Sequence, residues 1–82
     1  MKIDVNIDFM KEVFINAIEL EEGYKLIGDS MFEEVPGWDS VGHMLIITEL
    51  EERLDIELEI DEVVGVNNVN KLINLAKTKL NQ

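Results

Sequence analysis

Cysteine is absent from this 82-residue chain, and everything it supplies is excluded with it: disulfides, a thiolate metal site and a thiol nucleophile. Any thiol chemistry must be imported. Basic residues are scarce, 7 Lys and Arg against 18 Asp and Glu, and the net charge of −11 sets the surface against the phosphates of nucleic acid. No apolar run approaches the roughly 18 to 20 residues needed to span a bilayer. Asp4, Asp8 and Glu12 break up the start of the chain, so secretion and membrane insertion both lack a signal. These absences predict a soluble, cytoplasmic protein with neither a nucleic-acid nor a membrane partner.

There is a single proline, Pro36, no internal repeat and no linker long enough to divide the chain. A mass of 9.4 kDa suffices for one small domain over residues 1–82 with a modest core. It is too little to enclose a substrate in a deep pocket. The charge is unevenly spread: residues 1–32 carry −4, residues 33–62 carry −10, and residues 63–82 carry +3. The acidic middle third either solvates helix faces or forms a docking surface that speeds encounter with basic partner proteins.

Apolar periodicity predicts three long helices and one short one, an all-α four-helix bundle with a long loop between the first and second helices. Phe9, Met10, Val13, Phe14, Ala17 and Ile18 form one face of a first helix over about 8–22, ended by Gly23. Ahead of it, Ile3, Val5 and Ile7 alternate with polar residues, an extended lead-in or an early helical turn. From Tyr24 to Asp39 periodicity fails, and Leu26, Ile27, Met31, Phe32 and Val35 would anchor this loop to the core. Loops of this length tend to be functional. A second helix over about 40–54 would turn Val41, Ile46, Ile47, Leu50 and Leu54 inward, keep Met44 and Leu45 near the rim, and present Glu49, Glu51, Glu52 and Arg53 to solvent.

Residues 55–61 alternate acidic and apolar side chains like a half-buried strand, but no comparable strand exists to pair with them, so an extended connection is expected. One helical turn over 61–64 would stop at Gly65. Asn68 would then cap a last helix with Val69, Leu72, Ile73, Ala76 and Leu80 buried and Lys71, Lys77 and Lys79 outward.

The most informative stretch is Pro36-Gly37-Trp38-Asp39-Ser40-Val41-Gly42-His43-Met44, where a loop turns into a helix with a serine at its head. A helix N-terminus offers unpaired N–H groups and the positive end of the macrodipole, so an anionic group esterified to Ser40 would be stabilised there. Asp39 could cap the helix, or help an enzyme hold Mg²⁺ and orient the hydroxyl. Helix pattern and motif together resemble the acyl carrier protein family, with its peptidyl and other thiolation-domain relatives, over nearly the whole chain. The attachment motif G-x-D-S-[LIVM] is matched by Gly37, Asp39, Ser40 and Val41, followed by Leu50-Glu51-Glu52 and the short helix before the last one.

What the resemblance implies is specific. Ser40 would receive a 4′-phosphopantetheine arm from coenzyme A, by the action of a phosphopantetheinyl transferase, and acyl or aminoacyl groups would ride on its thiol as thioesters. The protein would be a monomeric carrier rather than an enzyme. Loading enzymes and acyl-consuming enzymes with basic docking surfaces would meet it at Val41, His43, Met44, Leu45, Glu51, Glu52 and Glu57, with His43 at the surface beside the arm. Val41, Ile46, Ile47, Leu50, Val63, Val66, Val69 and Leu72 would line the space that shelters cargo. Housekeeping fatty-acid carriers usually place acidic residues soon after the serine, whereas Gly42, His43, Met44 and Leu45 stand here. With Trp38 before Asp39, this looks similar to discrete carriers of specialised pathways.

Competing readings are weaker. Gly28-Asp29-Ser30-Met31 also fits the loose motif, but Pro36 would interrupt any helix begun at Ser30, so Ser30 is expected in a turn. Ser40 and His43 could share a helix face as nucleophile and base, yet Asp39 is poorly placed to orient His43 and no G-x-S-x-G elbow is present. A calcium loop counted from Asp55 meets Ile60 and Val66 where glycine and glutamate are required, so no metal site is expected. The remaining alternative is a small acidic helical interaction module in which Ser40 is only a cap.

Overall fold

The computed structural model describes residues 3–81 and contains four helices: α1 (Ile7–Ile18), α2 (Ser40–Leu54), α3 (Ile60–Val64) and α4 (Val69–Leu80). The Cα radius of gyration is 11.6 Å. Compact domains of this length scale to about 11.7 Å. α1 packs mainly on α2 and also on α4. Between them lies a core that includes Met10, Val13, Phe14, Trp38, Ile46, Leu50, Val69, Leu72 and Ala76.

Each long helix opens with a side-chain cap. Asn6 Oδ1 accepts from Phe9 N at 2.9 Å, Asp39 Oδ1 from Gly42 N at 2.8 Å, and Asn68 Oδ1 from Lys71 N at 2.8 Å. The lead-in is extended through Val5, whose side chain is buried.

The first helix ends four residues earlier than its acidic tail suggests. Glu19 takes a left-handed conformation (φ 55°) and Leu20 turns into the core. Had the helix run on, Leu20 would lie off the stripe formed by Met10, Val13, Phe14 and Ala17, and Glu21 would lie on it. Breaking the helix at Glu19 buries the leucine and leaves Glu21 in water.

The long loop is anchored by fewer side chains than expected. Leu26 and Val35 are buried and Phe32 is half-buried, but Ile27 and Met31 are exposed. Backbone pairing supplies what those two do not. Phe32 N donates to Asn67 O (2.9 Å), Val69 N to Ser30 O (3.1 Å) and Asn70 N to Gly28 O (2.9 Å), clamping the loop to the α3–α4 junction. Met31 and Asn68 form an isolated antiparallel bridge. Ser30 sits in a turn, its Oγ accepting from Ile27 N at 3.0 Å.

Residues 56–59 are an extended connection with no strand partner among the described residues. α3 begins one residue before the expected turn, with a capping box between Glu59 and Glu62. Lys79 does not point freely outward; its Nζ lies 2.9 Å from Glu62 Oε1, tying the end of α4 to α3.

Candidate functional site

Ser40 is exposed and is the first residue of α2. Its position is fixed from both sides. On the N-terminal side, Gly37 occupies a left-handed conformation (φ 86°) and Trp38 plunges into the core at 1% exposure. The Trp38 ring meets Phe14 edge-on at 4.9 Å, and Trp38 O accepts from Glu33 N at 2.9 Å. On the C-terminal side, Gly42 packs so closely that a Cβ there would collide with the Gly37 carbonyl oxygen. The chain between two buried points therefore holds the serine outward at a sharp corner.

Asp39 is the N-cap. Its carboxylate accepts from Gly42 N, and its carbonyl accepts from His43 N at 2.7 Å. The amides of Ser40 and Val41 belong to the first turn, which a helix leaves without intrahelical acceptors. The first turn of α2 carries no acidic side chain. An anion on Ser40 Oγ would thus meet a helix N-terminus with one neighbouring carboxylate, already engaged in capping.

The expected partner residues divide. Val41 is 71% exposed, and Met44 and Leu45 are about half exposed. Val41 was expected among the inward residues and is not one of them: residues 43, 46, 47, 50 and 54 fall at helical spacing on one face, with Val41 nearly opposite. The corresponding correction concerns His43. It is 8% exposed, not a surface residue. The Trp38 indole N–H donates to His43 Nδ1 at 2.9 Å, so the imidazole proton sits on Nε2 and is donated to Val63 O at 3.0 Å. With both nitrogens engaged, neither is turned to Ser40 as a base, and a Ser40–His43 dyad is not formed.

Among the acids, Glu52 and Glu57 are exposed, as a docking role requires. Glu51 is half-buried and accepts from Leu58 N at 3.0 Å, fastening the connection after α2. Glu49 and Arg53 are also half-buried and pair with each other (2.6 Å). Ile60 and Val64 on α3, each 75% exposed, add apolar surface that sequence reasoning missed, because a five-residue helix is too short to show a stripe. Among the described residues no group of three or more His, Asp or Glu could hold a metal.

Ile46, Ile47, Leu50, Val63, Val66, Val69 and Leu72, expected to line a cargo space, are all buried. Their own side chains fill that region, so a guest would have to displace them.

No protein-family model matches the chain, and no curated protein does. Among solved structures, the solution structure of a holo acyl carrier protein from Geobacter metallireducens is similar, with a TM-score of 0.81 at 25% sequence identity. The match covers 92% of this chain and 85% of that one. A likeness of this depth, over nearly the whole chain, shows that the four helices form the acyl carrier protein fold.

Proposed function

We propose that this chain, as a single carrier domain over residues 1–82, carries acyl or aminoacyl groups as thioesters on a 4′-phosphopantetheine arm joined to Ser40. The observation that carries the reading is the exposed serine at the head of α2, held outward between buried Trp38 and the Gly37–Gly42 contact. The residues fit the group: Ser40 Oγ would form the phosphodiester, the free amides of the first turn would face its phosphate, and Val41 and Met44 would flank the arm. When bound, the arm supplies the thiol that the chain lacks. The chain's own part is to present that thiol without competing for the acyl group.

Partners are a phosphopantetheinyl transferase and enzymes that load and unload cargo. Basic surfaces on these enzymes are steered by the acids of residues 49–62, and apolar ones seat on Val41, Met44 and Leu45. The protein works as a cytoplasmic monomer and catalyses nothing itself. An α2 first turn without acid favours a discrete carrier of a specialised pathway over the housekeeping fatty-acid carrier.

Intact mass after incubation with coenzyme A, Mg²⁺ and a broad-specificity transferase tests the proposal. Wild type should gain one arm and Ser40→Ala none. An unchanged wild-type mass would leave a small acidic interaction module as the better account.

A further inference from the structure

Among the described residues His43 is the one polar side chain that is buried, and carrying an arm on Ser40 makes no use of it. Its two hydrogen bonds join parts of the chain that are otherwise loosely related. Nδ1 faces Trp38, two residues before Ser40, and Nε2 faces Val63 O near the C-terminal end of α3. Phe32, from the long loop, closes the cluster edge-on at 5.6 Å from the imidazole.

α3 has little else to hold it. It is five residues long, buries only Val63, and exposes Ile60 and Val64. A helix this short is not stable on its own. Beyond the His43 bond it is tied by the Glu62–Lys79 pair, which is partly exposed and worth little in water, and by its own capping box. On its C-terminal side the chain reaches Asn67, whose carbonyl accepts from Phe32 N of the loop, and on its N-terminal side Glu51 Oε2 accepts from Leu58 N at 3.0 Å. The chain is therefore tethered on both sides of α3, and the His43 bond is what fastens the helix itself to α2.

We propose that His43 is the latch of α3: the imidazole fastens this short helix to the segment that presents Ser40, and α3 swings from the α2 face when the Nε2–Val63 bond breaks. His43 is a positioning residue, since it touches neither Ser40 nor any group on it. Opening would expose Val63, the side chain that the closed helix buries. That this movement admits cargo rests on the carrier reading; that His43 governs it does not.

Two substitutions separate the bonds. In His43→Asn, Oδ1 stands near the place of Nδ1 and still accepts from Trp38, but the side chain falls short of Val63. In His43→Gln, the amide nitrogen reaches the place of Nε2 and donates to Val63 O. Hydrogen exchange followed by NMR on the arm-free protein reads α3 directly, through the amides of Val63 and Val66, which donate to Glu59 O and Val63 O. Losing a buried hydrogen bond and stranding its acceptor should speed these two amides about tenfold or more in His43→Asn. Leu72 and Ala76 in α4 should change less than about threefold, and His43→Gln should return α3 to near the wild-type rate.

The latch is overturned by α3 amides that exchange as in wild type, by a loss of protection shared equally with α4 or amounting to global unfolding, or by a glutamine variant that behaves like asparagine. Arm attachment measured by mass on the same samples reports on the carrier reading separately, because the exchange experiment uses protein without an arm.

Discussion

Replacing Gly42 with alanine sets two local effects against each other. Gly42 lies in the first turn of α2, where alanine's intrinsic preference for the helix would favour the substitution by about 1 kcal/mol. Packing opposes it. An ideal Cβ at position 42 would overlap the Gly37 carbonyl oxygen and press within 3.1 Å of the Ile18 side chain. The obstacle is backbone, and Gly37 is itself held in a left-handed turn between Val35 and Trp38, both buried. Overpacking costs about 1–3 kcal/mol, and an obstacle that cannot rotate away argues for the upper end. The net expectation is a loss of about 2 kcal/mol, which for a domain of this size lowers Tm by roughly 8–16 °C. Urea unfolding followed by Trp38 fluorescence, with thermal melts by circular dichroism, measures it. Gly23→Ala is the control: a Cβ there meets nothing within 4 Å, so that variant should be neutral or slightly stabilised. If Gly42→Ala proved as stable as wild type, the close approach of the two chain segments would be wrong, and with it the account of why Ser40 stands outward. The same shift should slow arm transfer, because it moves the corner that presents the hydroxyl.

Removing the cap with Asp39→Ala should cost about 1 kcal/mol in urea unfolding, whereas Asp39→Asn should restore most of it, because asparagine caps as well as aspartate; equal losses in the two variants would show that the cap is not what stabilises α2. The Lys79 ammonium, with the Glu59 backbone N–H, holds the Glu62 carboxyl below its ordinary value of 4.5. A carboxylate with a lowered folded pKa stabilises the fold above its unfolded pKa and loses that contribution as pH falls through the folded one. Wild type should therefore melt above Lys79→Met at pH 6 and the gap should close below about pH 4.5, so a gap independent of pH refutes the pairing. A net charge of −11 predicts that salt stabilises the fold: raising ionic strength from about 0.01 to 0.15 M cuts the Debye length from about 30 to 8 Å, and a melting temperature unmoved by this or by Mg²⁺ would refute self-repulsion among the acids.

How much of this was legible in the sequence follows the range of the forces involved. α2 and α4 were readable to the residue or nearly so, because each pairs a strong cap, Asp39 or Asn68, with an apolar stripe. The exposed serine followed from the same local pattern. α1 ends before the stop that Gly23 predicts, and a helix continued to that glycine would put Glu21 on the buried stripe, a conflict visible in the spacing alone. His43 carried a similar unread signal: it stands at i, i+3, i+4 and i+7 with Ile46, Ile47 and Leu50, the period of the core face. Polarity argued for the surface, and its partners, Trp38 and Val63 O, lie five and twenty residues away. The clamp between residues 28–32 and 67–70 is backbone pairing between irregular segments and leaves no side-chain pattern to read.

The two ends of the His43 relay have opposite mechanical characters, and the proposed carrier needs both. At the serine end, Trp38, the left-handed Gly37 and the Gly42 contact leave the corner little freedom, so an incoming transferase meets a hydroxyl already in place and need not order it. At the α3 end, one buried valine and a partly exposed ion pair hold five residues of helix, so this part of the chain lies toward the low end of local stability. A uniformly rigid bundle would present the arm well but keep its filled interior closed. A uniformly loose one would admit cargo but lose the position of Ser40. Placing the firm contacts before and within the first turn of α2, and joining them to the weak helix through one imidazole, lets α3 move while the attachment corner stays where it is.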